Sequence, residues 1–253
     1  MGSKKWLLGI VITIATVVLL AGCGGQSKTE KVLRVGSETT FPPMEFSEDG
    51  KYVGFDVDLS NALAKEMGYD KMEFVSMGFD ALIPAIQGKQ IDMIAAGLVI
   101  TPARKEKVLF SDPYYESGLV MVVRKDYNEV NTVEDLANKT IGAQVGTTGA
   151  TLGKEKPGTT VKELDTINQL FLELQNKGID VVILDKPVAQ YFIKQGSGND
   201  FKVVGDMVKN SSIALAFNSD NKDLQEKANA ALKKLHENGT YDKIYSKWLG
   251  DLK

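Results

Sequence analysis

Two stretches of the chain carry the same order of residues: QGKQIDMIAAG at 87–97 and QNKGIDVVILD at 175–185 share Gln-x-Lys-x-Ile-Asp followed by four apolar residues. Each reads as a helix end, a turn and a short buried strand, because the apolar run is too continuous for a half-exposed strand and too short for a helix. Two ordinary α/β turns would also produce a match of this length. Taken with a chain of 253 residues, 43% of them hydrophobic, which can bury more than one core, the echo favours two similar lobes, each with its own sheet.

The rest of the chain fits that reading. Short apolar runs suited to strands occur at 33–35, 73–75, 92–95, 119–123, 140–144, 181–184 and 213–217. Between them Phe55, Leu59, Leu63 and Met67 fall at helical steps, and similar spacing recurs at 167–174, 188–193 and 224–235,. Alternating strands and helices predict an α/β fold in which each lobe is a mixed, mostly parallel sheet flanked by helices.

The N-terminus reads as a targeting segment. Lys4 and Lys5 precede an apolar run from Trp6 to Leu20, shorter than a membrane span of about 20 residues, and then comes Leu20-Ala21-Gly22-Cys23,. Cys23 is the only cysteine. Small residues before a lone cysteine at that place resemble a bacterial lipobox, so residues 1–22 are expected to be removed and Cys23 lipidated, with 23–31 as a polar tether. The expected working protein is acidic, extracytoplasmic and membrane-anchored through that lipid.

In open α/β sheets ligands bind beyond the carboxyl ends of the strands. The first echo strand ends in Gly97-Leu98-Val99 and leads to Thr101-Pro102, a helix cap followed by proline at the first helical position,. Three residues past the cap stands Arg104, where a capping box wants Glu or Gln and a cation is disfavoured by the helix dipole. That local misfit fits an anion site: free backbone N–H groups beside a guanidinium fork match a carboxylate. A second donor set is AQVGTTGAT at 143–151, where Gly146-Thr147-Thr148-Gly149 opens the next helix; it lacks the glycine and the Ser or Thr of a phosphate loop,. The second echo strand ends in Asp185, whose buried approach calls for a cation. Arginine and N–H donors on one lobe with aspartate on the other suit an α-amino acid zwitterion.

The stretches FPPMEF (41–46), YVGFDVDLSNALAKEMG (52–68), ITPARKEKVLFSDPYYESG (100–118), ILDKPVAQYF (183–192) and ENGTYDKIYSKW (237–248) resemble the polar amino acid binding proteins of ABC importers, with the type II periplasmic binding protein fold. The resemblance implies that Arg104 grips the ligand α-carboxylate with main-chain groups of Gly97 to Val99 and with Thr148. It further implies that Asp185 takes the α-ammonium and that Phe41 and Phe79 sandwich the side chain. Val99 stands where relatives usually have Ser or Thr, which removes one hydroxyl contact worth about 1 kcal/mol. Glu38 matches the position that reads a distal polar or cationic group, and Gln144 falls where some glutamine binders carry lysine. Glu38 beside aromatic faces favours arginine or lysine, with glutamine next, since cation-π contact adds roughly 0.5–2 kcal/mol. The implied lobes are 32–117 plus 214–253 and 118–213, hinged near 115–119 and 210–213, in a monomer that serves a permease and its ATPase.

Other classes find little support. Net charge is −3 and no basic cluster carries interleaved aromatics, so nucleic acid is not an expected partner,. With Cys23 reserved for lipid and a lone His236 on the C-terminal helix, no metal site, cofactor or nucleophilic triad is expected. A dehydratase using Glu38 and Asp185 as acid and base, and a receptor ectodomain, are the alternatives.

Overall fold

The computed structural model describes residues 30–195 and 200–252. The targeting segment, Cys23 and most of the tether lie outside these residues. The strands are β1 (Val32–Ser37), β2 (Thr40–Phe41), β3 (Glu45–Glu48), β4 (Lys51–Val53), β5 (Lys71–Ser76), β6 (Met93–Ile94), β7 (Val108–Phe110), β8 (Tyr115–Arg124), β9 (Thr140–Gln144), β10 (Thr160–Leu164), β11 (Val181–Asp185), β12 (Phe201–Ile213) and β13 (Ala216–Asn218). The helices are α1 (Phe55–Glu66), α2 (Leu82–Gln87), α3 (Pro102–Lys105), α4 (Thr148–Lys154), α5 (Ile167–Gln175), α6 (Lys186–Lys194), α7 (Lys222–Glu237) and α8 (Thr240–Trp248).

Two five-stranded sheets form, in the orders β5-β1-β6-β13-β7 and β10-β9-β11-β8-β12, with β2, β3 and β4 as a small antiparallel sheet. In the first large sheet only β13 runs against the others, and in the second only β8 does, so both are mixed and mostly parallel. Helices cover both faces. Leu59 and Leu63 of α1 with Leu232 and Leu235 of α7 pack on one side of the first sheet, and Leu82 and Ile86 of α2 pack on the other. On the second sheet Leu170 and Leu174 of α5 oppose Leu152 of α4.

The sequence echo is a structural repeat down to single bonds. Gln87 and Gln175 end α2 and α5, and Lys89 and Lys177 then take φ of 57° and 62°, a left-handed turn uncommon for a side chain of this length. Asp92 accepts the Arg34 N–H at 2.9 Å and Asp180 accepts the Thr140 N–H at 2.9 Å. Each aspartate thereby locks its turn to the strand beside it. A side chain at Gly36 would strike Ile91, and one at Gly142 would strike Ile179, each at 2.3 Å; the two isoleucines share one sequence place and one packing role.

One expected strand is different. The run 213–217 is split: Ile213 ends β12 in the second sheet, and β13 begins at Ala216 in the first. A continuous apolar run here crosses between sheets and stays buried throughout, Ala214 and Leu215 being fully covered. The chain passes the other way between β7 and β8, and the two passages lie together, Ser117 opposite Ser211 in the β8–β12 pairing.

Candidate functional site

Four strand ends converge on one cavity. Glu38 follows β1, Ala96 to Val99 follow β6, Gln144 ends β9 and Asp185 ends β11. With Phe41, Glu45, Phe79, Arg104, Thr147 and Thr148 they line about 290 Å³ of empty space between the two large sheets. All nine sequence-derived site residues, Glu38, Phe41, Phe79, Gly97, Val99, Arg104, Gln144, Thr148 and Asp185, line it.

Thr101 caps α3, its hydroxyl accepting the Arg104 N–H at 3.2 Å, with Pro102 at the first position. This fixes Arg104 on the first turn, 9% exposed. Its guanidinium donates to the Val99 carbonyl at 2.6 Å and, across the cavity, to the Gly146 carbonyl at 3.0 Å. It also stands 5.3 Å from the centre of the Phe79 ring. Two of its five N–H donors are thus committed to holding the fork, and the rest remain for an anion. Burial lowers its pKa to about 10, and the charge of Asp185 opposes that shift.

Asp185 occupies the N-cap of α6 but makes no capping bond. It is 7% exposed, and its Oδ1 has no hydrogen-bond partner. Burial pushes its pKa from 3.8 to about 7, with Arg104 pulling the other way. A capping aspartate that does not cap is held for something else, because an orphaned buried carboxylate oxygen costs on the order of 1–3 kcal/mol or more. Glu38 is in the same condition: Oε1 accepts from Thr40 Oγ1 at 2.7 Å, Oε2 has no partner, and burial raises its pKa, with Thr40 and the nearby Gln144 pulling the other way.

Gln144 donates to the Asp165 carbonyl at 2.9 Å, which holds its side-chain amide to the protein. Thr147 caps α4 through a 3.3 Å bond from the Ala150 N–H. Phe41, 7% exposed, both lines the cavity and joins the core.

One expectation needs correction. The Gly97 N–H, counted among the ligand's donors, is taken: it donates to Asp56 Oδ2 at 2.8 Å. The positive φ of 55° at Gly97 turns that N–H inward to the buried aspartate. Val99 differs. It faces Ile213 in a lone antiparallel bridge flanked by the Ile100-to-Ser212 and Ala214-to-Leu98 bonds, the register in which a residue's own N–H and carbonyl point away from its partner.

Glu45 was not anticipated. It is fully buried, lines the cavity and contacts Asp56. Only a charged residue between Met44 and Phe46 hinted at it. Among the described residues no group of His, Cys, Asp or Glu is arranged to hold a metal ion.

Two mixed sheets joined by paired crossings, with a buried cavity at their strand ends holding a cationic fork on one side and a carboxylate on the other, define a type II periplasmic binding protein. The chain belongs to the family described as bacterial extracellular solute-binding proteins, family 3, which matches residues 33–251. It is 35% identical, over 97% of its length and 98% of the relative's, to the arginine-binding extracellular protein ArtP of Bacillus subtilis (strain 168). An ancestral arginine-binding protein, solved with arginine and with glutamine, is 42% identical with a TM-score of 0.84 to either structure; 87% and 88% of this chain and 99% of that one are covered. The ancestral amino acid-binding protein AncCDT-1, a precursor of cyclohexadienyl dehydratase, is 37% identical with a TM-score of 0.80, over 86% of this chain and 95% of its own. The relatives are named for binding, and this chain is a binding protein, not an enzyme.

Proposed function

We propose that this protein captures a cationic L-amino acid, arginine or lysine first and glutamine next, in the cavity between its sheets and delivers it to an ABC importer. The observation that carries the reading is a pair of buried acceptors without donors, Glu38 Oε2 and Asp185 Oδ1, in one cavity with Arg104. Arg104, with the Val99 and Thr148 backbone N–H groups, receives the α-carboxylate; Asp185 receives the α-ammonium; Glu38 receives the distal cation. Phe41 and Phe79 flank the aliphatic stem. An acidic side chain would meet Glu38 with no cation to spare, and a buried like-charge contact is strongly unfavourable. The arginine-binding names of the relatives agree with this order, and the glutamine complex agrees with glutamine as the next ligand.

The lobes divide at 117/118 and 213/214 and close by a hinge in the paired crossings. The chain works as a monomer on the extracytoplasmic side of the cell membrane, held by lipid on Cys23, and hands its ligand to a permease driven by an ATPase. Calorimetric titration of ligand-stripped protein lacking residues 1–23 against the twenty amino acids tests the binding claim. The expected dissociation constant for one cationic or amide ligand is about 1 µM or tighter, near −8 kcal/mol. A preference for glutamate or aspartate would overturn it.

A further inference from the structure

We infer that Glu45 enters this cavity as a neutral acid, its proton shared with Asp56, and that it is a specificity residue, offering the ligand's distal end a carbonyl acceptor without a further negative charge. This deepens the cationic amino acid reading and rests on it for the choice of ligand.

Glu45 opens β3 with its side chain fully buried at the cavity wall. Neither of its oxygens, nor Asp56 Oδ1, receives an N–H or O–H from the protein. The charged and titratable groups around it are Asp56 from α1, Glu38 beyond β1, Asp185 at the end of β11 and, through Asp56, Tyr114. None is a cation. Arg104 donates to two carbonyls and feels the charge of Asp185, and nothing links it to Glu45.

Two carboxyls in contact inside a dry interior do not both ionise; one proton is held between them. The hydrogen bonds decide which keeps the charge. Asp56 Oδ2 accepts two, from the Gly97 N–H at 2.8 Å and from Tyr114 Oη at 2.7 Å, and such bonds favour an anion. Glu45 accepts none. Burial raises Asp56 to about 6, whereas Glu45 is pushed well above the usual carboxylate range. The O–H of Glu45 therefore points at Asp56 Oδ1, and its second oxygen is left as an acceptor with no donor. Tyr114 in turn accepts from the Tyr241 hydroxyl through its carbonyl, which ties the pair to the core at the start of β8.

The arrangement separates two kinds of ligand. With Asp185 given to the ammonium, Glu38 and Glu45 both offer acceptors to the distal end, so a side chain ending in several N–H donors is matched, while one that also carries an acceptor leaves that atom unpaired. Because the third acceptor is neutral, the cavity gains a hydrogen bond without another buried anion to compensate.

Glutamine at position 45 imitates the protonated acid: its amide N–H donates to Asp56 and its carbonyl faces the cavity. Alanine removes both. In titrations with arginine, Glu45→Ala is expected to bind about tenfold or more weakly than the natural protein, and Glu45→Gln to recover most of that loss. A Gln variant as weak as the Ala variant overturns the inference, because the negative charge would then be needed; so does an Ala variant that binds like the natural protein. Should Glu45→Ala not fold, the infrared difference spectrum between the natural protein and Glu45→Gln at neutral pH decides: a lost carboxylic acid carbonyl band supports the shared proton, and a lost carboxylate band refutes it. Failure of the natural protein to bind arginine would instead sink the ligand assignment and the specificity role with it, while the infrared band still reports on the proton.

Discussion

Replacing Asp185 by Asn should make the empty protein more stable and the binding much weaker. The carboxyl has a usual pKa of 3.8, raised by burial to about 7 in the folded protein. Below pH 3.8 it is protonated whether the chain is folded or not and contributes nothing. Between there and about 7 the unfolded chain gives up the proton first, so stability falls as pH rises; above 7 the full difference is reached. At about 1.4 kcal/mol for each pKa step, that amounts to about 4 kcal/mol against the empty folded state. Asn keeps the shape and removes the charge. Melting curves of ligand-stripped protein should coincide near pH 4 and separate by several degrees at pH 7.5, with Asp185→Asn the more stable. Affinity moves oppositely. Truncating one partner of a buried charge pair costs about 2–5 kcal/mol, or at least about 30-fold in arginine affinity by calorimetry. With arginine near a thousandfold its dissociation constant, ligand linkage restores about 4 kcal/mol to the natural protein, and the order of the melting temperatures closes or reverses. An Asn variant that melts earlier than the natural protein when both are empty at pH 7.5, or that binds arginine equally well, would refute the assignment of Asp185 as the ammonium's partner.

Other outcomes follow from the same geometry. Arg104→Met should reduce arginine affinity by about 30-fold or more, as loss of a buried charged partner does, and should also remove the guanidinium bridge to the Gly146 carbonyl; retained affinity in calorimetry would separate Arg104 from the carboxylate. Arginine binding should weaken by up to about tenfold per pH step as pH falls below 7, because the empty site then holds a proton on Asp185 that the ligand ammonium must displace, and it should level off above 7; a flat profile from pH 5 to 8 counts against this. Gly146→Ala places a methyl 3.2 Å from Asp80 Cβ at a φ of 75°, so closure should be impaired and the protein with arginine should scatter X-rays as a larger particle than its parent. Cys23→Ala should abolish incorporation of labelled fatty acid into the protein; unchanged incorporation would refute lipid anchoring.

The parts of this molecule that its sequence made legible are those in which one local rule governs one short stretch. The two echo strands, the Thr101 cap and Asp185 at a strand end each follow from spacing or capping chemistry, and the repeat extends further than the letters suggested, to paired aspartate-to-backbone bonds. The resemblance supplied Phe79 and Glu38, for which composition and periodicity offered no signal. Two kinds of feature stayed hidden. One is the passage of a continuous apolar run between sheets at 214–215, since burial alone does not tell which sheet an apolar residue serves.

The other is the pairing of Glu45 with Asp56. Both sit in stretches that look ordinary, Asp56 as an acidic residue on the first turn of α1, where the helix dipole alone would account for it,. Only the fold brings β3 against that turn and encloses both carboxyls, and only then does the missing donor at Glu45 become a physical demand. A buried polar atom without a partner is costly when the site is empty, so where several such atoms share one cavity, their chemistry describes what the ligand must bring. Here the set is Glu38 Oε2, Asp185 Oδ1 and the free oxygen of Glu45. All three accept and none donates, so the ligand that relieves them is one rich in N–H groups, and the cost of holding them unpaired is what binding recovers.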